Sequence, residues 1–361
     1  MHNRSQLLFC YCVLSYLYDN SLQTLSLKCR FWKNETKSFV FSSIIHNFAA
    51  VMMNIIFIVF GIIMVLWGAG KLTDGATSLA ARMNIPPIVI GLTVVAMGTS
   101  MPEFFISFIS ALKGTTDLAV GNVVGSNIFN TMLIVGTAAL VAPMTILKST
   151  VKKDIPFTIL ASAMLIPMTL DGDISRLDAA LLFLVFIVFM VYTVRSAKNG
   201  TAEGDKAEAK QMPVWKAIAF FFLGLACLIV GSNLFVDGAT SVASLLGVSE
   251  AVIGLTIVAG GTSLPELATS VVAARKGQSA IAMGNVIGSN VMNILMILGA
   301  TGLIHPMAIQ GITWLDLSVM LVSVLLLWLF SFTKYTVARW EGAVLVILFL
   351  AYMTWLVIQA I

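Results

Sequence analysis

Two glutamates stand in stretches that are otherwise apolar, each after the same short polar run. Residues 91–103 read GLTVVAMGTSMPE and residues 254–266 read GLTIVAGGTSLPE, identical at 10 of 13 positions. A constant offset of 163 residues carries Glu103 onto Glu266, Pro102 onto Pro265 and Thr99 onto Thr262. A proline inside a helix has no N–H to give, so the carbonyl four residues back, on Gly98 or Gly261, is expected to lose its partner. In hydrocarbon, such bare backbone is tolerated where it lines a cavity or is otherwise satisfied. Thr99 and Glu103 are four residues apart and are expected on one helix face. Bare carbonyls, the hydroxyls of Thr99, Ser100, Thr262 and Ser263, and two carboxylates are the oxygen ligands that a hard cation takes. Calcium, for one, takes about six to eight oxygens.

A second doubled motif adds oxygens. GNVVGSNIFN (121–130) maps by the same offset onto GNVIGSNVMN (284–293). Asn122, Ser126 and Asn130 recur every four residues as one polar stripe, and Asn285, Ser289 and Asn293 repeat it. Ser126, Asn130, Ser289 and Asn293 are expected to face the glutamates. Gly121 with Gly125, and Gly284 with Gly288, have the spacing that lets helices approach closely.

Each feature also has a structural reading. A Gly–Pro kink is common in membrane helices, and a lone Asn or Ser often only ties two helices together. A mid-span glutamate is different, because it is costly in lipid and by default functional. Two at matched positions favour a binding site. Asp74 and Asp237 lie toward helix ends and read as solvated or capping residues. No nucleophile or histidine lies near the motifs, so an enzyme is not expected.

The elements that must position these residues are membrane spans. The chain is 59% hydrophobic and 11% charged with mean hydropathy +0.97, against about 25% charged for a soluble domain. Ten spans are expected, near 52–72, 88–112, 117–140, 155–170, 175–195, 215–244, 251–274, 280–301, 313–333 and 341–360. The expected division is a first five-helix repeat over 52–197, a polar linker over 198–213, and a second repeat over 214–361. An odd number of spans per repeat inverts the second copy. The fold class expected is therefore an all-α integral membrane protein with ten transmembrane helices as two inverted five-helix repeats. Alternate loops carry thirteen Lys and Arg, the others only Lys113 and Arg176. The positive-inside rule then puts the linker in the cytoplasm and both ends of the core outside. Residues 1–51 have no counterpart in the second repeat and read as a disordered extension, a start placed upstream of Met52-Met53, or a weak signal-like segment. The four cysteines (Cys10, Cys12, Cys29 and Cys227) form no metal or disulfide pattern.

GTSMPE, GTSLPE and the doubled GSN motif resemble the alpha-repeats of the cation/calcium exchanger superfamily, in particular prokaryotic sodium/calcium antiporters and their potassium-dependent animal relatives. The resemblance covers about residues 52–361. It implies that Glu103 and Glu266 bind calcium, and that Thr99, Ser100, Thr262 and Ser263 are ligands by side chain or backbone. It further implies that the carbonyls of Ala96 and Ala259 bind sodium, with Ser126, Ser289, Asn130 and Asn293 as outer members of both sites. Several relatives carry an aspartate where this chain has Asn293. The function implied is a secondary active sodium/calcium antiporter in the cell's inner (plasma) membrane. It would extrude calcium by alternating access at one shared mid-membrane site, with spans 1 and 6 moving across the core. A calcium/proton antiporter and potassium-dependent exchange are the alternatives. The partners expected are the bilayer and the two ions, with no cofactor, no nucleic acid and no obligate protein partner.

Overall fold

The computed structural model describes residues 22–169, 171–198, 212–248, 257, 259–309 and 311–360, with side chains from residue 51 on, residues 198, 259 and 360 excepted. The chain divides into two compact units, Met1–Asn54 and Ile55–Ile361. The expectations for residues 1–21 and for 199–211 of the linker lie outside the described residues. Both copies of each doubled motif lie in the second unit.

The elements are almost all helical. In order they are α1 (Leu22–Met83), α2 (Pro87–Thr99), α3 (Met101–Leu112), α4 (Thr116–Val141), α5 (Ile155–Met168), α6 (Arg176–Lys198), α7 (Val214–Leu245), α8 (Ala259–Thr262), α9 (Leu264–Arg275), α10 (Ser279–Ile304), α11 (Trp314–Ser331) and α12 (Arg339–Ala360). Among the described residues, seven are long and apolar enough to cross a membrane, or eight if α2 and α3, bent by 48° at Ser100, count as one broken span. Long uncharged runs fold this way because lipid offers no partner to a bare N–H or C=O, so each segment must bond within itself. Helices α4 and α10 have 72% and 78% of their apolar window buried, whereas α1, α6, α7 and α12 have 17–28%. The first two thus lie in the interior of the second unit, and the others leave most of their apolar windows exposed.

The offset of 163 governs the whole second unit, well beyond the motifs that first displayed it. Met101–Leu112 maps onto Leu264–Arg275, and the start of α6 at Arg176 maps onto the start of α12 at Arg339. Four two-residue strands obey it too. β1 (Met144–Thr145) pairs antiparallel with β4 (Thr336–Val337), and β2 (Asp173–Ile174) with β3 (Met307–Ala308). The pairs Met144·Val337 and Ile174·Met307 are images of each other under the offset. Each ribbon therefore ties a loop of one half to a loop of the other.

Helices α1 and α7 cross at glycines. A Cβ on Gly61 would lie 2.6 Å from the Gly231 carbonyl oxygen, and one on Gly224 would lie 2.6 Å from that of Gly68. Offset by 163, Gly61 becomes Gly224 and Gly68 becomes Gly231, so the two contacts are also images of one another. Helix α10 meets α2 in the same manner: Gly284 sits against Ile88 and Gly91, and Gly288 against Leu92 and Ala96. The expected role of Gly284 and Gly288 is thus realised. Gly121 meets only the tip of Ile312, and Gly125 has nothing within 4 Å among the described residues.

Candidate cation-binding site

The two glutamates are created by a break, not by a kink. Helix α2 ends at Thr99, Ser100 sits at φ −83°, ψ 8°, and α3 restarts at Met101. Ser263 repeats this at φ −87°, ψ 7° between α8 and α9. Pro102 and Pro265 consequently fall in the first turn of a new helix, where a missing N–H is an orphan anyway. This corrects the expectation of prolines within continuous helices. Each break presents the carbonyl end of one helix and the N–H end of the next at one point. Glu103 and Glu266 occupy first turns, where the helix dipole favours a carboxylate.

The break also redirects the hydroxyls. Thr99 does not serve Glu103 from a shared face. Instead Ser100 Oγ donates to Glu266 Oε1 at 2.9 Å, and Ser263 Oγ donates to Glu103 Oε1 at 3.0 Å. The Thr99 hydroxyl turns to the second half as well, donating to Asn285 Oδ1 at 3.1 Å. Each of the two glutamates is therefore held by the other half's serine. Ser289 lies 3.5 Å from Glu266 Oε1, and Ser263 reaches Ser126 at 3.3 Å. The serines of the second motif thus join the glutamates as expected.

What is left unbonded defines the chemistry. Glu103 and Glu266 are each 1% exposed, and among the described residues the Oε2 atom of each lacks a hydrogen-bond partner. Asn130 and Asn293 are equally buried; the Oδ1 of each, and the Nδ2 of Asn293, lack partners among the described residues as well. Buried polar atoms are normally satisfied, and leaving one bare costs about 1–3 kcal/mol. Four bare oxygens on four matched residues make a donor set that suits a hard cation. Asn130 and Asn293 fall in π-helical stretches, Phe129–Ile134 and Met292–Leu298. A further one, Gly91–Val95, precedes Ala96. Such wide turns re-aim side chains and often mark functional positions.

Other predicted members have different surroundings. The carbonyl of Gly261 is not bare, because Ser232 Oγ of α7 donates to it. The Ala96 carbonyl accepts from Ser100 N at 2.9 Å and from Thr99 Oγ1 at 3.3 Å. Ala259 opens α8. Gly98 and Gly261 leave room for α7: a Cβ on Gly98 would press Leu225 at 3.1 Å, and one on Gly261 would collide with Val236.

The asparagines at the head of each polar stripe take the tying role and not a place beside the carboxylates. Asn122 Nδ2 donates to the Glu103 carbonyl at 3.1 Å and to Ser107 Oγ at 2.9 Å. Asn285 Nδ2 does the same to Glu266 and Ser270, at 3.4 and 3.0 Å. Asn122 and Asn285 therefore brace the main chain that carries each glutamate. The signal was available: Ser107 and Ser270 stand four residues after the glutamates in both copies. Ser232 had none, since its image is Ala69.

The fold and site together define a multi-pass helical membrane protein with paired buried carboxylates in a cage of neutral oxygens. The sodium/calcium exchanger protein family matches residues 53–195 and 216–358, two blocks again 163 apart. The chain belongs to that family. A putative antiporter CaxA of Alkalimonas amylolytica is 38% identical over 307 residues, 82% of this chain and 96% of that one. The sodium/calcium exchanger MaX1 of Methanosarcina acetivorans is 31% identical over 347 residues, 85% and 97% of the two chains. The sodium-calcium exchanger NCX_Mj, soaked with 10 mM Na+ and 10 mM Sr2+, superposes with TM-score 0.74 at 32% identity, covering 84% of this chain and 98% of that one. These relatives bear the names of a putative antiporter and of exchangers.

Proposed function

We propose that the chain is a sodium/calcium antiporter that carries calcium and sodium alternately at one site built on Glu103 and Glu266. The observation that carries this reading is the crossed arrangement, in which each carboxylate is pinned by the opposite half's serine and keeps one oxygen bare. Two buried carboxylates at close quarters need compensating positive charge, which one calcium ion or sodium ions can supply. Asn130, Asn293, Ser126 and Ser289 would complete the shell, with main-chain oxygens near Ala96, Thr99, Ala259 and Thr262.

The ten-helix, inverted-repeat architecture belongs to this proposal. Helices α2–α3 and α8–α9 would each form one broken span, and α5 a short one. Their common offset supports that count. The glycine-packed α1 and α7 would move as one slab across the rest and expose the site to either face in turn. The distribution of Lys and Arg supports a cytoplasmic linker and external core ends in the inner membrane. An inward sodium gradient would then drive calcium out.

The test is calcium-45 uptake into proteoliposomes loaded with sodium, potassium or acid. Uptake driven by internal sodium, and lost in both Glu103→Gln and Glu266→Gln, is expected. Uptake driven only by a proton gradient would replace the reading with calcium/proton exchange. Uptake surviving both substitutions would remove the site.

A further inference from the structure

We infer that Ser232 of α7 is a positioning residue that decides which way the site rests. Its hydrogen bond to the Gly261 carbonyl favours the arrangement seen here over the inverted one, in which Ala69 of α1 takes its place with no hydroxyl to give. The inference rests on the alternating-access reading above. Pro102 and Pro265 have no N–H for the carbonyl four residues back, on Gly98 and Gly261. Both glycines are buried, so each break carries a main-chain oxygen that lacks its α-helical N–H and gains from an outside donor. At the second break the donor is Ser232, itself buried and next to Gly231, where α7 crosses α1.

Helices α1 and α7 are unequal in this structure. The three atoms nearest a Cβ on Gly98 all belong to Leu225 of α7, and the nearest to one on Gly261 all belong to Val236 of the same helix. Helix α7 therefore lies on both breaks. The offset of 163 maps Leu225, Ser232 and Val236 onto Ile62, Ala69 and Thr73 of α1, and Ile62 is 42% exposed. Ile62 and Ala69 follow Gly61 and Gly68 as Leu225 and Ser232 follow Gly224 and Gly231, so the crossing glycines give the two helices equivalent seats. When the halves exchange roles, α1 takes the seat of α7, with Ile62 toward Gly261 and Ala69 at the Gly98 carbonyl. Thr73 has a hydroxyl, but it is spent on the Ala69 carbonyl of its own helix at 2.7 Å. One hydrogen bond to a buried carbonyl is then present in one state and missing in the other, which biases the two by about fivefold.

The experiment is sodium-free exchange of calcium-45 for calcium in right-side-out and everted membrane vesicles. It gives the half-saturating calcium concentration at each face with the other face saturated. An apparent affinity depends on the population that presents the site. Ser232→Ala is expected to move the ratio of the two concentrations about fivefold, whereas Ser232→Thr, which keeps the hydroxyl, leaves it in place. Ala69→Ser supplies the missing donor to the inverted state and is expected to move the ratio in the same direction as Ser232→Ala. A merely structural role for Ser232 would raise both concentrations together and leave the ratio where the parent has it. That result overturns the inference and leaves sodium/calcium exchange intact. So does an Ala69→Ser protein that exchanges calcium with the ratio unmoved or moved the opposite way. Should Ser232→Ala fail to fold, Ala69→Ser decides by the same criterion. A parent protein without sodium-driven calcium uptake overturns the exchange reading and this inference with it.

Discussion

At the scale of residues, the crossing of hydroxyls matters most. Ser100 and Ser263 each hold the glutamate of the other half. Removing either hydroxyl takes the shortest hydrogen bond from one Oε1 and removes one candidate cation ligand. Ser100→Ala and Ser263→Ala are each expected to raise the calcium concentration for half-maximal uptake by about tenfold, with maximal uptake retained. Equal effects from the two would reflect the symmetry of the site. A loss confined to one of them would show that the halves do unequal work. Away from the cage, Asp154 lies in the turn before α5, and burial pushes its carboxyl up to about 6 despite the Thr150 hydroxyl and Lys153. A carboxyl that binds its proton more tightly when folded adds stability below about pH 4 and loses it as pH rises to about 6. Asp154→Asn should therefore melt higher than the parent at pH 7, by a margin that shrinks at pH 4.5. Thermal melts of the purified protein in detergent would check the sign. The sequence displayed the glutamates, serines and asparagines because each type is out of place in a span and occurs twice. It could not display their pairing. Four-residue spacing linked Thr99 to Glu103, and only the break at Ser100 sends Ser100 to Glu266 and Thr99 to Asn285 instead.

At the scale of elements, glycine decides where helices may touch. Gly68 and Gly70 are two residues apart on α1. A Cβ on Gly68 would meet the Gly224 oxygen at 2.8 Å and Cys227 Cβ at 2.9 Å, whereas one on Gly70 finds only Lys276 Nζ at 3.8 Å. Gly68→Ala is expected to lower the melting temperature and impair transport. Gly70→Ala should be neutral or stabilising, since alanine favours a helix over glycine by about 1 kcal/mol. Equal behaviour of the two variants would contradict the close packing of α1 on α7. The spans themselves were legible from apolar length. The breaks were legible only as Gly–Pro punctuation, because a kink and an interruption share the same residues. Which glycines form contacts was not legible at all: Gly125 and Gly288 sit in matching motifs, yet Gly288 presses Leu92 and Ala96 while Gly125 has nothing within 4 Å among the described residues.

At the scale of the whole second unit, the departure from two-fold symmetry carries information. Lys276, just beyond α9, donates to Asp74 Oδ1 at 2.6 Å and to the Gly70 carbonyl at 2.9 Å. This is the ion pair present among the described residues, and it ties α1 to the end of α9. The offset of 163 maps it onto Asp237 of α7 and Lys113 at the end of α3. Those two side chains are both exposed and form no such pair in this structure. If the halves exchange roles when the site changes face, the pairs should exchange too: Lys113 closes on Asp237 as Lys276 releases Asp74. The Lys276–Asp74 pair is 36% and 43% exposed, so it is worth no more than about 1 kcal/mol. That is weak enough to break on each turnover and still bias the two states by about fivefold. Cysteines can replace both members of a pair, Asp74→Cys with Lys276→Cys or Lys113→Cys with Asp237→Cys. A short bifunctional reagent is expected to link each pair in membranes and to stop calcium uptake in both cases. In a protein carrying all four cysteines, molecules linked at 74–276 should not link at 113–237. Frequent double linkage would mean that the pairs do not alternate. Exclusive linkage, shifted from one pair to the other by sodium or calcium, would tie the broken symmetry of this structure to one of its two transport states.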